Sequence, residues 1–473
     1  MEIFQVNDIF TPSSPAKANF VEREVLNKRI VRGLQTKGMQ VIVYGQSGSG
    51  KTTLLENKLF QVYPNHLKTS CMNGSTFNSV ILDAFDQLAP YYIDQKEQEE
   101  EISIDATIKA SYQIISNELK SGHKNRKKQL KKRALPPQLT AQNLARFMGE
   151  SGLCWVLDDF HKVEDKDKAK LSQLMKIFMD MSPTYPDLKV ICVGAVNSAR
   201  QVVQYDEEMR NRISEIKVPL MTKDEIQEVV QGGFHKLNIG VKADSIYDDI
   251  YHHSNGLASI CHKLCLLMCE HVNVYQTVDY TAKIDDVLIG SEVNDWEGLD
   301  NDNDNDDDLS DLGVDDDIEE VQPTYQKKKL RLGDAQLGYA VQEYLDDTSD
   351  TIKSSFDLAF QVDAKAEFIL EALSDGDEEG ENIEAIFSTL KGMGISLGQD
   401  KISSILSDLQ SDTGGSIVVL DINNNMYRYT NPFLMAFART LFESHSYNHN
   451  LRRNRKDLMD FFDSTYKTMK VNL

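Results

Sequence analysis

Long apolar runs are missing from this 473-residue chain: no stretch approaches the roughly 18 consecutive apolar residues of a membrane span. Its start lacks the charged-then-apolar layout of a secretory signal. Cysteine is scarce; the six residues form no C-x-x-C pair, which argues against a disulfide framework and fits reduced thiols. Basic residues are outnumbered, 51 against 74 acidic, giving a formal net charge of -23. A nonspecific nucleic-acid coat is therefore not expected of the chain as a whole. These absences together lead us to expect a soluble cytoplasmic protein with no membrane partner. The length suggests roughly two to four domains, each able to bury a core.

What is present begins with Gly45-Gln46-Ser47-Gly48-Ser49-Gly50-Lys51-Thr52, a complete G-x-x-x-x-G-K-[ST] phosphate loop. It follows the apolar strand Val41–Tyr44 and opens an apolar-periodic helix from Thr53 to Leu59, the context the motif requires. The glycines let the backbone curl so that its N–H groups point at phosphates, aided by the helix N-terminus. Lys51 would reach the β- and γ-phosphates. Thr52 would hold Mg²⁺, a hard ion that prefers oxygen ligands. A plain Gly/Ser turn would have no use for the lysine or the threonine.

Before the loop, residues 1–37 hold a proline-broken start and then Asn19-Phe20-Val21-Glu22-Arg23-Glu24, leading into a helix that ends near Gly33. Residues 38–222 read as an α/β core. Its further strands are expected near Lys68–Met72, at Trp155–Leu157, at Lys189–Val193 and at Ile213–Pro219, with a helix over Val80–Leu88. Continuous apolar strands alternating with helices argue a parallel sheet. Residues 95–137 break the pattern as a charged insertion. Seven of the eleven residues His123 to Arg133 are Lys or Arg, a solvated loop or, less in keeping with the chain's charge, a nucleic-acid contact through Lys124–Arg133. Residues 223–290 read as a helical lid. Residues 291–322 are an acidic low-complexity linker, with fifteen acids and no Lys or Arg from Glu292 to Glu320, a composition that favours disorder. Asp300-x-Asp302-x-Asp304 lacks the glycine and glutamate that a calcium loop needs further on.

Residues 323–445 follow as a helix, expected over Ala335–Val362, and then a winged helix. Its three short helices are anchored by Phe368/Ile369/Leu373, Ile383/Ile386/Leu390 and Ile402/Ile405/Leu409. A hairpin of Ile417–Leu420 and Met426–Tyr429 comes next. Asn431-Pro432-Phe433 starts a last helix, and residues 446–473 form a mixed-charge tail.

The chemistry expected is phosphoryl transfer, which needs charge neutralisation and an aligned water more than covalent chemistry. Asp158 and Asp159 end an apolar strand. Asp158 would bind Mg²⁺, and Asp159 would orient or activate the attacking water. Asn197, just past the Lys189–Val193 strand, would face the γ-phosphate, with Arg200 a weaker candidate. Arg212, ahead of Arg210 in preference, could reach a nucleotide held by the next subunit. Cys261, Cys265 and Cys269 recur every four residues and share one helix face; small thiols packed in a lid explain them better than zinc.

These residues together resemble the AAA+ superfamily, closest to its branch joining origin-initiator-like ATPases, transposition ATPases and the STAND signalling ATPases. The resemblance covers about Phe20 to Cys269 and extends to the winged helix. It implies that the Asn19–Glu24 segment, Arg23 included, closes over the adenine. In the same way Asp158-Asp159 is similar to the Walker B pair, Asn197 to sensor 1 and Arg212 to the arginine finger. Ser254-Asn255-Gly256-Leu257-Ala258-Ser259 resembles the glycine-containing start of a lid helix. Initiator-type members carry a sensor-2 arginine about three residues after that glycine. Ser259 stands there instead, and His262 is the nearest alternative, which leans towards STAND-like behaviour. The whole pattern is also similar in type to the ATPase subunits of bacterial anti-phage operons.

Charge decides how the winged helix is read. From Phe368 to Tyr429 there are three basic residues, Lys391, Lys401 and Arg428, against eleven acidic ones. A helix entering a major groove needs Arg, Lys, Asn or Gln for bases and phosphates, and the third helix offers little of this. The domain reads as a protein–protein or nucleotide-sensing module. The expected function is a regulatory ATPase using ATP and Mg²⁺ to drive homo-oligomeric assembly and control a partner effector protein, in the setting of anti-phage defence. The competing expectation is a DNA-remodelling ATPase, a transposition regulator or helicase loader.

Overall fold

The computed structural model describes residues 2–98, 140–196, 199, 207–280, 329–377, 379–422 and 424–447. The expectations for Asn197, Arg200, the Lys124–Arg133 segment and the acidic run 291–322 lie outside these residues. The chain opens with a short helix α1 (Val6–Ile9) and then α2 (Glu24–Gln35). The core alternates: β1 (Gln40–Gly45), α3 (Lys51–Val62), β2 (His66–Ser70), α4 (Phe77–Gln98), α5 (Ala141–Glu150), β3 (Cys154–Asp158), α6 (Asp165–Met181), β4 (Lys189–Ala195), β5 (Ile213–Lys217). The five strands pair in parallel in the order β2-β3-β4-β1-β5.

Both faces of the sheet are apolar because side chains alternate along each strand. Ile42, Trp155, Leu157, Val190 and Cys192 face one side, beneath α4, α5 and α6. Val41, Val43, Cys154, Val156, Ile191 and Val193 face the other, beneath α2 and α3. The buried Trp155 indole donates to Thr69 Oγ1 at 3.0 Å, so its polar atom is satisfied inside the core. Lys189 is fully buried at the start of β4. Its ammonium donates to the carbonyls of Gly33, Thr36 and Met39, closing the end of α2 and the chain that follows it. Burial lowers its pKa to about 8. β2 ends at Ser70, two residues short of the expected Met72, because the chain turns at Met72–Ser75.

A helical lid follows: α7 (Lys223–Lys236), β6 (Gly240–Val241), α8 (Ser245–Ser254) and α9 (Ala258–His271). Thr222 and Glu225 form a capping box that fixes the start of α7. The lid is not helical throughout. β6 pairs in parallel with β7 (Arg331–Leu332), from far along the chain. Nor is 335–362 one helix: it divides into α10 (Asp334–Asp347) and α11 (Asp350–Val362). Leu332, Leu337, Ala340 and Val341 pack in the lid core, whereas Phe356, Ala359 and Phe360 pack in the winged helix. The lid core therefore takes in β7 and most of α10, whereas Leu345 near the end of α10 already packs with the winged helix.

The winged helix comprises α12 (Ala366–Ser374), α13 (Ile383–Gly392), α14 (Gln399–Leu409), the antiparallel hairpin of β8 (Val418–Asp421) and β9 (Met426–Tyr429), and α15 (Pro432–Tyr447). An additional bridge, Glu381 to Tyr427, ties the segment before α13 to the wing. Asn431 caps α15, its Oδ1 accepting from the N–H groups of Phe433 and Leu434, with Pro432 in the first helical position.

The N-terminal segment packs into the lid. Val6, Ile9 and Phe10 are buried in the lid core, and the Phe10 ring meets Phe234 and His262 edge-on.

Candidate nucleotide site

Strand order assembles the site. β4 lies between β1 and β3, and all three point the same way, so the phosphate loop after β1 and the carboxylates after β3 flank the end of β4. This is the carboxyl edge at which open parallel sheets bind ligands. The loop leaves Gly45 at φ 154, turns through Gly48 and Gly50 in left-handed conformations, and enters α3 at Lys51. At Gly45 a Cβ would lie 2.1 Å from the Val218 carbonyl oxygen, so only glycine fits.

The donor set suits a polyphosphate. Ser49 is buried and its hydroxyl has no partner, while Gly50 has open space where a side chain would begin. Lys51 is buried, with Nζ donating to the Gln46 carbonyl at 2.6 Å, inside the loop it would serve. Burial lowers its pKa to about 8, against the opposing pull of Asp159 and Asp158. A group so placed gains from a phosphate charge beside it.

Thr52 and Asp158 line one narrow cleft together with Glu56 and Lys68. Both supply oxygen donors, the chemistry Mg²⁺ prefers, so the residues fit that ion. Asp159 sits in a left-handed turn (φ 54), and its N–H donates to Asp158 Oδ1 at 3.0 Å. Its carboxylate pairs with Lys162 at 2.7 Å. His161 Nδ1 accepts from the Ala195 N–H at 3.2 Å, tying this turn to the end of β4. Burial lowers the His161 pKa, consistent with an accepting, neutral ring.

Other expected residues are engaged elsewhere. Arg23 is buried, pairs with Glu225 at 2.9 Å and donates to the carbonyls of Pro219 and Leu220. It therefore pins the N-terminal segment to the junction of core and lid. Arg212 is held to Asp180 of its own chain at 3.0 Å, a half-exposed pair. Exposed pairs of this kind contribute little stability and are easily exchanged. His262 is buried and faces the N-terminal segment, where its Nδ1 accepts from the Thr11 N–H at 3.1 Å. It is not a stand-in for a sensor arginine. Cys261, Cys265 and Cys269 are all buried in the lid core, and among the described residues no group of three metal-ligating side chains occurs.

Sequence reasoning missed four residues at the site. Glu56 lies one helical turn beyond Thr52, a spacing that could have been read. Lys68 was visible only as a strand residue. Leu257 and Phe433 come from the lid and the last helix, and a Cβ on Gly48 would lie 2.5 Å from Leu257 and 2.9 Å from the Phe433 ring. No local signal foretold either contact.

The sheet order, the phosphate loop after β1, the paired carboxylates after β3 and the helical lid after β5 define an AAA+-type P-loop ATPase fold followed by a winged helix. Among solved structures the chain is similar to a Walker-type ATPase of Pyrococcus abyssi, at 13% identity and a TM-score of 0.47, covering 91% of this chain and 99% of that one. It is also similar to the Orc2 protein of Aeropyrum pernix, at 10% identity and 0.44, covering 95% and 100%. For Cdc6p of Pyrobaculum aerophilum the values are 13% and 0.40, covering 94% and 99%. Likeness this remote adds nothing to what the chain's own geometry shows. No family model matches the sequence, and no curated protein matches it.

Proposed function

We propose that this protein is a regulatory ATPase. It binds and hydrolyses ATP with Mg²⁺, assembles as a homo-oligomer and controls a partner effector protein, in the setting of bacterial anti-phage defence. One observation carries this reading: the phosphate loop, the lid and the C-terminal domain meet at Gly48, where Leu257 and Phe433 close on the loop. A change at the phosphates is thereby felt by α15 and the domain it belongs to. Within the site, Lys51 offsets phosphate charge, Thr52 and Asp158 hold the metal, and Asp159 orients the attacking water. Arg212 leaves Asp180 to meet the nucleotide of a neighbouring subunit.

The winged helix supports a protein partner over DNA. Lys401, the one basic residue of α14, is already paired with Asp363 at 2.6 Å, and its exposed neighbours include Asp400 and Asp408. The DNA-remodelling alternative draws on Lys124–Arg133, outside the described residues.

Mass photometry of the wild type, Lys51→Ala, Arg212→Ala and Phe433→Ala, each with and without ATP·Mg²⁺, tests the reading. ATP is expected to drive the wild type to a discrete oligomer that the first two variants fail to form. Phe433→Ala is expected to assemble at a lower ATP concentration. A single size for every protein and nucleotide state would overturn the proposal.

A further inference from the structure

The cleft behind Thr52 contains a cation that neither the phosphate loop nor the paired aspartates call for. Lys68 Nζ lies 2.7 Å from Glu56 Oε1 and 3.2 Å from Asp158 Oδ2. Its backbone is gripped from both sides: the Lys68 N–H donates to Gln87 Oε1 at 3.1 Å, and Gln87 Nε2 donates to the Lys68 carbonyl at 2.8 Å. Gln87 is itself held by Asp83 at 2.8 Å. The lysine is thus delivered to the carboxylates by a fixed strand, with its side chain only one-third exposed. Two carboxylates and one ammonium leave a single net negative charge in a cleft that Thr52 also lines.

Resting on the Mg²⁺·ATP reading above, we propose that Lys68 is a positioning residue that stands in for the divalent charge. It holds Asp158 in the metal-free protein and competes with the metal for that carboxylate. The shorter contact to Glu56 gives Lys68 a partner to keep when Asp158 turns away. The device sets a high metal requirement, so that the site favours metal arriving with a nucleotide over free metal. Like charges a few ångströms apart in a partly solvated cleft repel strongly enough to move metal affinity by about tenfold.

The test uses the full chain as wild type, Lys68→Met, Lys68→Arg and Glu56→Gln, with far-UV circular dichroism to check each fold. A fluorescent ATP analogue is titrated with Mg²⁺ from a chelated start. Lys68→Met is expected to lower the half-saturating Mg²⁺ about tenfold. Lys68→Arg should match the wild type, and Glu56→Gln should raise it, because Lys68 then pairs with Asp158 alone. In a second arm, binding of Mn²⁺ without nucleotide is read by electron paramagnetic resonance, where Lys68→Met should bind the ion more tightly than the wild type. An unchanged or raised metal requirement in Lys68→Met, in either arm, overturns the proposal. If the wild type binds no nucleotide at any Mg²⁺ concentration, the ATPase reading falls instead, and the Mn²⁺ arm still decides the role of Lys68.

Discussion

Arg439 links the winged helix to the lid, and its removal gives a measurable coupling. From the middle of α15, Nε donates to the Ser374 carbonyl at 2.8 Å and Nη2 to the Gly376 carbonyl at 2.8 Å, both within the winged helix. Nη1 crosses to Asn255 Oδ1 of the lid at 2.9 Å. Asn255 answers by donating to the Pro432 carbonyl at 3.4 Å. Burial lowers the Arg439 pKa, so the cation pays some desolvation for these bonds. In Arg439→Met the stem stays and three charge-assisted bonds go. Set against the desolvation relieved, the loss is about 3 kcal/mol in total, with about 1 kcal/mol belonging to the bond from Nη1 to Asn255. Asn255→Gly removes the partner of that bond together with the bond to Pro432, a loss that cancels in the double-mutant cycle. Asn255 has φ 49, a conformation glycine adopts freely, so the substitution removes the side chain without straining the turn. Urea unfolding of the wild type, both single variants and the double variant, followed by circular dichroism, closes the cycle. We expect a coupling energy of about 1 kcal/mol. Strict additivity, with coupling under about 0.3 kcal/mol, would refute the claim that this arginine joins the two domains.

Two further predictions concern pH. With its pKa lowered to about 8, Lys51 is charged below pH 8 both free and bound, so nucleotide affinity holds steady there. Above pH 8 the free lysine loses its proton and binding must restore it, so affinity should fall by up to about tenfold per pH unit, as read by fluorescent-nucleotide titration. Flat affinity from pH 7 to 9.5 would contradict the burial argument. His262 is buried neutral, its pKa lowered to about 4 from the ordinary 6.5 by desolvation. Its contribution to stability is present above pH 6.5 and is lost as pH falls towards 4, at up to about 1.4 kcal/mol per pH unit. Protonation would cost the bond from Thr11 and loosen Val6, Ile9 and Phe10 from the lid. Thermal melts of the wild type and His262→Gln from pH 7 to 4.5 should show a shallower slope in the variant; equal slopes would count against this role.

Much of the site was legible because its chemistry is local. Gly45 to Thr52 must curl, cradle and cap within eight consecutive residues, and Asp158-Asp159 must end an apolar strand. Both segments stand where that reading put them. Continuous apolar runs and period-3.6 patterns likewise marked most of the strands and helices, among them the three anchored helices of the winged helix. Errors fell where pairing is nonlocal. β6 is two residues long and exists only because Arg331–Leu332 returns to it, and the break between α10 and α11 separates helices that pack in different cores.

By itself, then, the sequence determined a phosphate loop, a carboxylate pair and the order of the domains, because each rests on contacts between near neighbours in the chain. Tertiary structure alone decided that Arg23 serves the lid junction, that Lys68 and Glu56 share the cleft with Asp158, and that Phe433 meets Gly48. Those contacts join residues from 12 to several hundred positions apart. No local propensity specifies such a meeting; it follows from how the sheet orders its strands and where the lid and winged helix pack.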